Sequence, residues 1–93
     1  MKRDEALSEV ERCVLQDRNA SYGSPENNFS RVAKLWTAYF DREFEPHDVA
    51  VMLALLKVAR LSENPTHMDS WVDLAGYAVC GAEVAELLEI RDV

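Results

Sequence analysis

Val49-Ala-Val-Met-Leu-Ala-Leu-Leu-Lys-Val-Ala-Arg60 is the stretch whose reading decides the fold. Pro46 suits the first turn of a helix, and Asp48 close behind it suits the positive end of the helix dipole. The spacing therefore predicts a helix over 47–61. Only Lys57 and Arg60 interrupt its apolar character, one turn apart and near its C-terminal end. A helix apolar nearly all round belongs at the buried centre of a domain. Glu63-Asn64-Pro65 stops it.

A short loop, 64–68, leads to a further helix over about 69–89, which opens on Asp69-Ser-Trp-Val-Asp-Leu-Ala-Gly-Tyr-Ala78. Upstream, Ser24-Pro25-Glu26-Asn27 carries an N-cap serine, a proline at the first helical position and an acid beside it. The helix it starts runs to about Asp41, with Phe29, Val32, Ala33, Trp36, Tyr39 and Phe40 in one aromatic-rich stripe suited to a core or a subunit interface. The first helix is read over 3–18 from Ala6, Leu7, Val10, Cys13 and Val14, with Arg18–Pro25 as a break rich in turn formers. No strand pattern, repeat or linker interrupts this order. Four helices joined by short loops predict an all-α bundle of antiparallel helix hairpins, in a single domain over 1–93.

Ninety-three residues make a small domain, one that a partner subunit could stabilise, so a homo-oligomer is expected. The net charge of −7 disfavours nucleic-acid backbones and anionic membranes, both of which need clustered Lys and Arg. A small anionic ligand needs only two or three placed cations and stays open. Met1-Lys-Arg-Asp-Glu leads into an amphipathic pattern without the apolar run of a signal peptide, and no run approaches a membrane span. Cys13 and Cys80 lie far apart within helical patterns, which predicts reduced, buried thiols in a cytoplasmic protein.

In an antiparallel hairpin of the last two helices, residues equally far from the turn face one another. Arg60 then comes near the level of Asp69, and Lys57 near that of Asp73. Two cations and two acids in an apolar neighbourhood form either a structural ion-pair network or a site. The desolvation cost of such a network makes it poor as a stability device. As a site it has two versions. In one, Asp69 and Asp73 hold a divalent metal while Lys57 or Arg60 steadies a phosphate. In the other no metal or cofactor is needed: the cations grip the phosphates of a nucleotide, Tyr22, Trp71 or Tyr77 stacks its base, and the acids orient the cations. Two carboxylates are few for magnesium catalysis, and no catalytic residue is assigned. Gly76 and Gly81 inside the last helix point to close helix–helix packing. His47 and His67, at helix starts, read as surface or capping residues.

The stretches Ala20-Ser-Tyr-Gly-Ser-Pro-Glu-Asn-Asn-Phe29, Leu56-Lys-Val-Ala-Arg60 and Asn64-Pro-Thr-His-Met-Asp-Ser-Trp-Val-Asp-Leu-Ala-Gly-Tyr-Ala78 resemble a family of small phage and prophage proteins of unknown function. The likeness runs over about residues 16–86. The same motifs are more loosely similar to a nucleotide-modification-associated domain of phages, and through it to the all-α pyrophosphohydrolases of the MazG type. That likeness implies a nucleotide context. The MazG-type enzymes bind magnesium through acidic pairs on two successive helices, and this chain has Lys57 and Arg60 where the earlier pair would be. The resemblance marks Tyr22, Gly23, Pro25, Asn28, Phe29, Lys57, Arg60, Asp69, Trp71, Asp73 and Tyr77. The leading expectation is a nucleotide or nucleotide-derived ligand, with sequestration of a cyclic-nucleotide immune signal as one form suggested by size and class alone. The alternatives are a magnesium-dependent nucleotide pyrophosphohydrolase and a protein-interaction module that inhibits a host protein.

Overall fold

A computed structural model describes the backbone of residues 1–91 and the side chains through Leu88. Among these residues every regular element is helical. Helix α1 (Arg3–Arg12) runs through a π-helical turn, Cys13–Asp17, directly into α2 (Arg18–Tyr22). The wide turn is marked by the Arg18 N–H, which donates to the Cys13 carbonyl five residues back. The sequence predicts a break from Arg18 onward, and the structure corrects this. Asn19, Ala20 and Ser21 all tolerate a helix, and the rod ends only at Gly23, whose φ of 78° a side chain rarely adopts.

Helix α3 (Pro25–Phe40) starts as the sequence predicts: Ser24 Oγ accepts from the Asn27 N–H at 3.3 Å. It ends at Asp41, which takes the left-handed conformation at φ 52°. Helix α4 (Pro46–Glu63) opens on a capping box in which the Glu45 N–H donates to Asp48 Oδ2 at 2.9 Å. Helix α5 (Met68–Arg91) follows after a short turn.

Helices α4 and α5 form the antiparallel hairpin on which the rest is laid. Helix α3 packs across both of them, while α1 and the π-helical turn pack along α5. The core lies between these layers: Val10 and Val14 from the first rod, Phe29 and Ala33 from α3, Val49 and Ala50 from α4, and Val72, Cys80 and Val84 from α5. Both helical glycines sit where elements touch. A Cβ on Gly76 would meet Val14 Cγ1 at 3.3 Å, and one on Gly81 would meet the Ala50 Cβ at 3.1 Å. The glycines therefore set the spacing of the π-helical turn and α4 from α5, the close helix–helix packing that the sequence predicts.

One expectation about α4 is overturned. It is not the buried centre of this chain, since only Val49, Ala50 and Leu61 along it are buried. Val51, Met52, Leu55, Leu56 and Val58 are exposed. The reason is geometric: the hairpin has two faces, and the short α1–α3 layer covers one of them.

Candidate functional site

The residues gather around Arg18. Arg18 opens α2, and about one and a half turns of helix plus the Gly23-Ser24 bend bring the start of α3 back beside it. Its Nη2 donates to Asn28 Oδ1 at 2.8 Å and its Nη1 to the Gly23 carbonyl at 3.3 Å. Its guanidinium carbon lies 4.7 Å from the centroid of the Phe29 ring and 5.9 Å from that of Tyr22. Both are cation–π distances. Tyr22, Gly23, Asn28 and Phe29, the centre of the Tyr-Gly-Ser-Pro-Glu-Asn-Asn-Phe motif, thus share one partner.

That partner faces a cleft of about 320 Å³ between the π-helical turn with α2 on one side and α5 on the other. Cys13, Asp17, Arg18, Ser21 and Tyr22 form the first wall; Val72, Asp73, Gly76, Tyr77 and Cys80 form the second. A volume of this size holds a small metabolite. Among the described residues Arg18 has no carboxylate within ion-pair distance, because the acids of the cleft are engaged elsewhere. Asp73 Oδ2 lies 2.9 Å from Lys57 Nζ, whose side chain is only 13% exposed. Asp17 pairs with Arg12, which also holds Glu9. The hydrogen bond from Arg12 holds the Glu9 carboxyl below its ordinary range. Arg18 uses one N–H of each terminal nitrogen on neutral acceptors, so three of its five donors are left for an anion.

Two thiols line the cleft. Burial pushes the Cys80 thiol above its ordinary pKa, against the nearby Arg18 charge, which acts to lower it. The Cys13 thiol is raised for the same first reason, with Arg12 opposing. Both are therefore neutral near pH 7.

The predicted site residues divide into two groups. Tyr22, Asp73 and Tyr77 come together at the cleft, Asn28 stands behind Arg18 as its hydrogen-bond acceptor, and Lys57 stands one ion pair behind Asp73. The predicted pairing of Lys57 with Asp73 is present. Arg60, Asp69 and Trp71 do not reach the cleft. Arg60 borders a separate shallow hollow with Leu56, Ala59, Glu63, Asn64 and His67. Asp69 is exposed in the first turn of α5. The Trp71 indole N–H donates to the Pro65 carbonyl at 2.8 Å, and the ring stays half exposed. His67, also exposed, has its ring Nδ1 2.7 Å from Oγ of the buried Ser70. Among the described residues no three His, Cys, Asp or Glu side chains converge as a metal would require. Arg18 is the residue that sequence reasoning missed. Its only signal was its place five residues before Gly23 of the glycine-proline motif.

Comparison with known proteins bears on this arrangement. The model of a domain of unknown function, DUF6378, matches residues 5–85, a span that contains both walls of the cleft. The chain belongs to this family. The chain also resembles phage proteins: it is 39% identical over 80 residues to the Gene 55 protein of Mycobacterium phage D29. It is 48% identical over 73 residues to the Gene 55 protein of Mycobacterium phage L5. These matches cover 86% and 77% of this chain but 53% and 47% of the relatives, so the chain spans about half the length of the curated relatives it matches. No solved structure matches the chain significantly. No helix among the described residues is long and apolar enough to cross a membrane.

Proposed function

We propose that this DUF6378 chain binds a nucleotide or nucleotide-derived small molecule in the cleft between the π-helical turn and α5. The observation that carries the reading is Arg18. A guanidinium held by a side-chain amide and a backbone carbonyl, stacked near Phe29 and Tyr22, is already ordered before an anion arrives. Its positive charge meets no carboxylate at ion-pair distance among the described residues, so phosphate is the partner its fork geometry suits. Tyr22 and Tyr77 stand on opposite walls, where a base can lie against one or between both. Lys57 acts through Asp73, whose carboxylate it fixes at the rim. Such a ligand belongs to the cytoplasm of the bacterial host, and there the protein would act, as a binder that sequesters or senses it.

The magnesium-dependent pyrophosphohydrolase reading receives less support. Its metal needs several converging carboxylates, and the one on the cleft's α5 wall, Asp73, is already paired with Lys57. Calorimetry against mononucleotides, dinucleotides and cyclic dinucleotides tests the proposal. We expect one member of the panel to bind, and Arg18→Ala to weaken it by about 10- to 150-fold, the value of one hydrogen bond to a charged group. No heat with any of them at high protein concentration overturns it.

A further inference from the structure

The face of the α4–α5 hairpin turned away from α1–α3 is uncharged over its central turns. On α4 it presents Val51, Leu55, Val58 and Ser62, spaced as one helical stripe. On α5 it presents Trp71, Ala75, Ala78 and Ala82 at the same spacing, opposite the buried Val72, Gly76 and Cys80. Leu55 is 60% exposed and Val51 55%. The patch continues past Met52 to Phe40 and Phe44, which border the same hollow as Val51.

We propose that a second copy of this chain covers this face, hairpin against hairpin, to make a symmetric dimer with a four-helix bundle at its centre. Three observations select that occupant. The chain exposes 6780 Å², whereas a folded monomer of 10.6 kDa exposes about 5,500 Å² by the general scaling of surface with mass. The excess, about 1,300 Å², exceeds the roughly 800 Å² that each partner contributes to a stable interface. The face is also self-complementary. The bulky stripe of α4 fits over the alanine stripe of α5 when a two-fold axis sets the two against each other, and each copy supplies both halves. Finally, the rim is net acidic: Glu43, Asp48, Glu63, Glu83 and Glu86 outnumber Arg42 and Arg60. An anionic lipid surface would be repelled by that rim, while the uncharged centre needs only an equally apolar partner.

Sedimentation velocity on the full chain tests this. At about 100 µM the wild type should sediment at twice its 10.6 kDa, with a melting temperature that rises with protein concentration. Leu55→Asp should return the mass to that of one chain. Leu35→Asp, on the outer side of α3 where Leu35 is 63% exposed, should leave the dimer intact. If Leu55→Asp does not fold, the wild-type melting temperature decides: its rise with concentration supports the dimer, and its independence of concentration overturns it. A monomeric wild type overturns the proposal and leaves the face to a different protein. An assembly that survives Leu55→Asp, or one that Leu35→Asp breaks equally, overturns it too.

Discussion

Arg18 reaches five residues forward to Gly23 and ten to Asn28, and no periodicity within one helix announces such contacts. That is why the sequence marks Tyr22, Asn28 and Phe29 through their motif and passes over the cation that joins them. The placement of Arg60 and Asp69 failed for a related reason. Distance from the hairpin turn sets the level of a residue along the helix, but its direction follows from 100° of rotation per residue. Lys57 and Asp73 share both level and direction and pair at 2.9 Å. Arg60, three residues further on, is turned toward another hollow. At this scale Cys80 offers a measurable consequence. Its folded-state thiol pKa lies above the unfolded one because it is buried. The stability it contributes is therefore complete below the unfolded thiol value, about 8.5, and is lost as pH rises toward the folded value. Thermal melts from pH 7 to 10 should show the melting temperature falling above pH ~8.5. Cys80→Ala should flatten that fall, and an unchanged slope would refute the assignment.

The helices themselves were legible wherever a local signal fixes a boundary. Ser24-Pro25 and Pro46 do so, because a capping hydroxyl and a ring-locked φ act within one turn. The π-helical turn at Cys13–Asp17 was not legible, since Cys-Val-Leu-Gln-Asp contains nothing that forbids an ordinary α-helix. Its cause is tertiary. One extra residue per turn lets Val10 and Val14 face α5 in the core while Arg18 and Tyr22 still reach the cleft. Deleting the exposed Gln16 removes that extra residue, so an ordinary α-helical turn should replace the wide one and leave α2 facing nearly the same way. Arg18 and Tyr22 would then stay on the cleft wall. The expected result is helical content by circular dichroism close to wild type, with ligand heat retained in calorimetry. Loss of binding would show that the wide turn itself, and not only the direction it gives α2, sets the site.

At the scale of the whole molecule, an all-α bundle follows from four helical patterns and short loops, and the structure has it. The reading of α4 as a buried centre was right about its chemistry and wrong about this chain alone. A helix apolar all round states only that it wants cover on every side; it does not state whose residues supply it. Within one copy, α3 and α5 cover half. If a second copy covers the rest, the two chains must meet while each carries a net charge of −7. Their repulsion acts across the approach, whereas the contact surface holds no ion pair for salt to weaken. Screening falls to about 3 Å at 1 M salt from about 30 Å at 0.01 M, so added salt removes the unfavourable part and leaves apolar burial intact. The dimer dissociation constant measured by sedimentation should therefore decrease as NaCl is raised from low to high concentration. An increase would mean that charged groups hold the two copies together, and that a surface other than the α4–α5 face joins them.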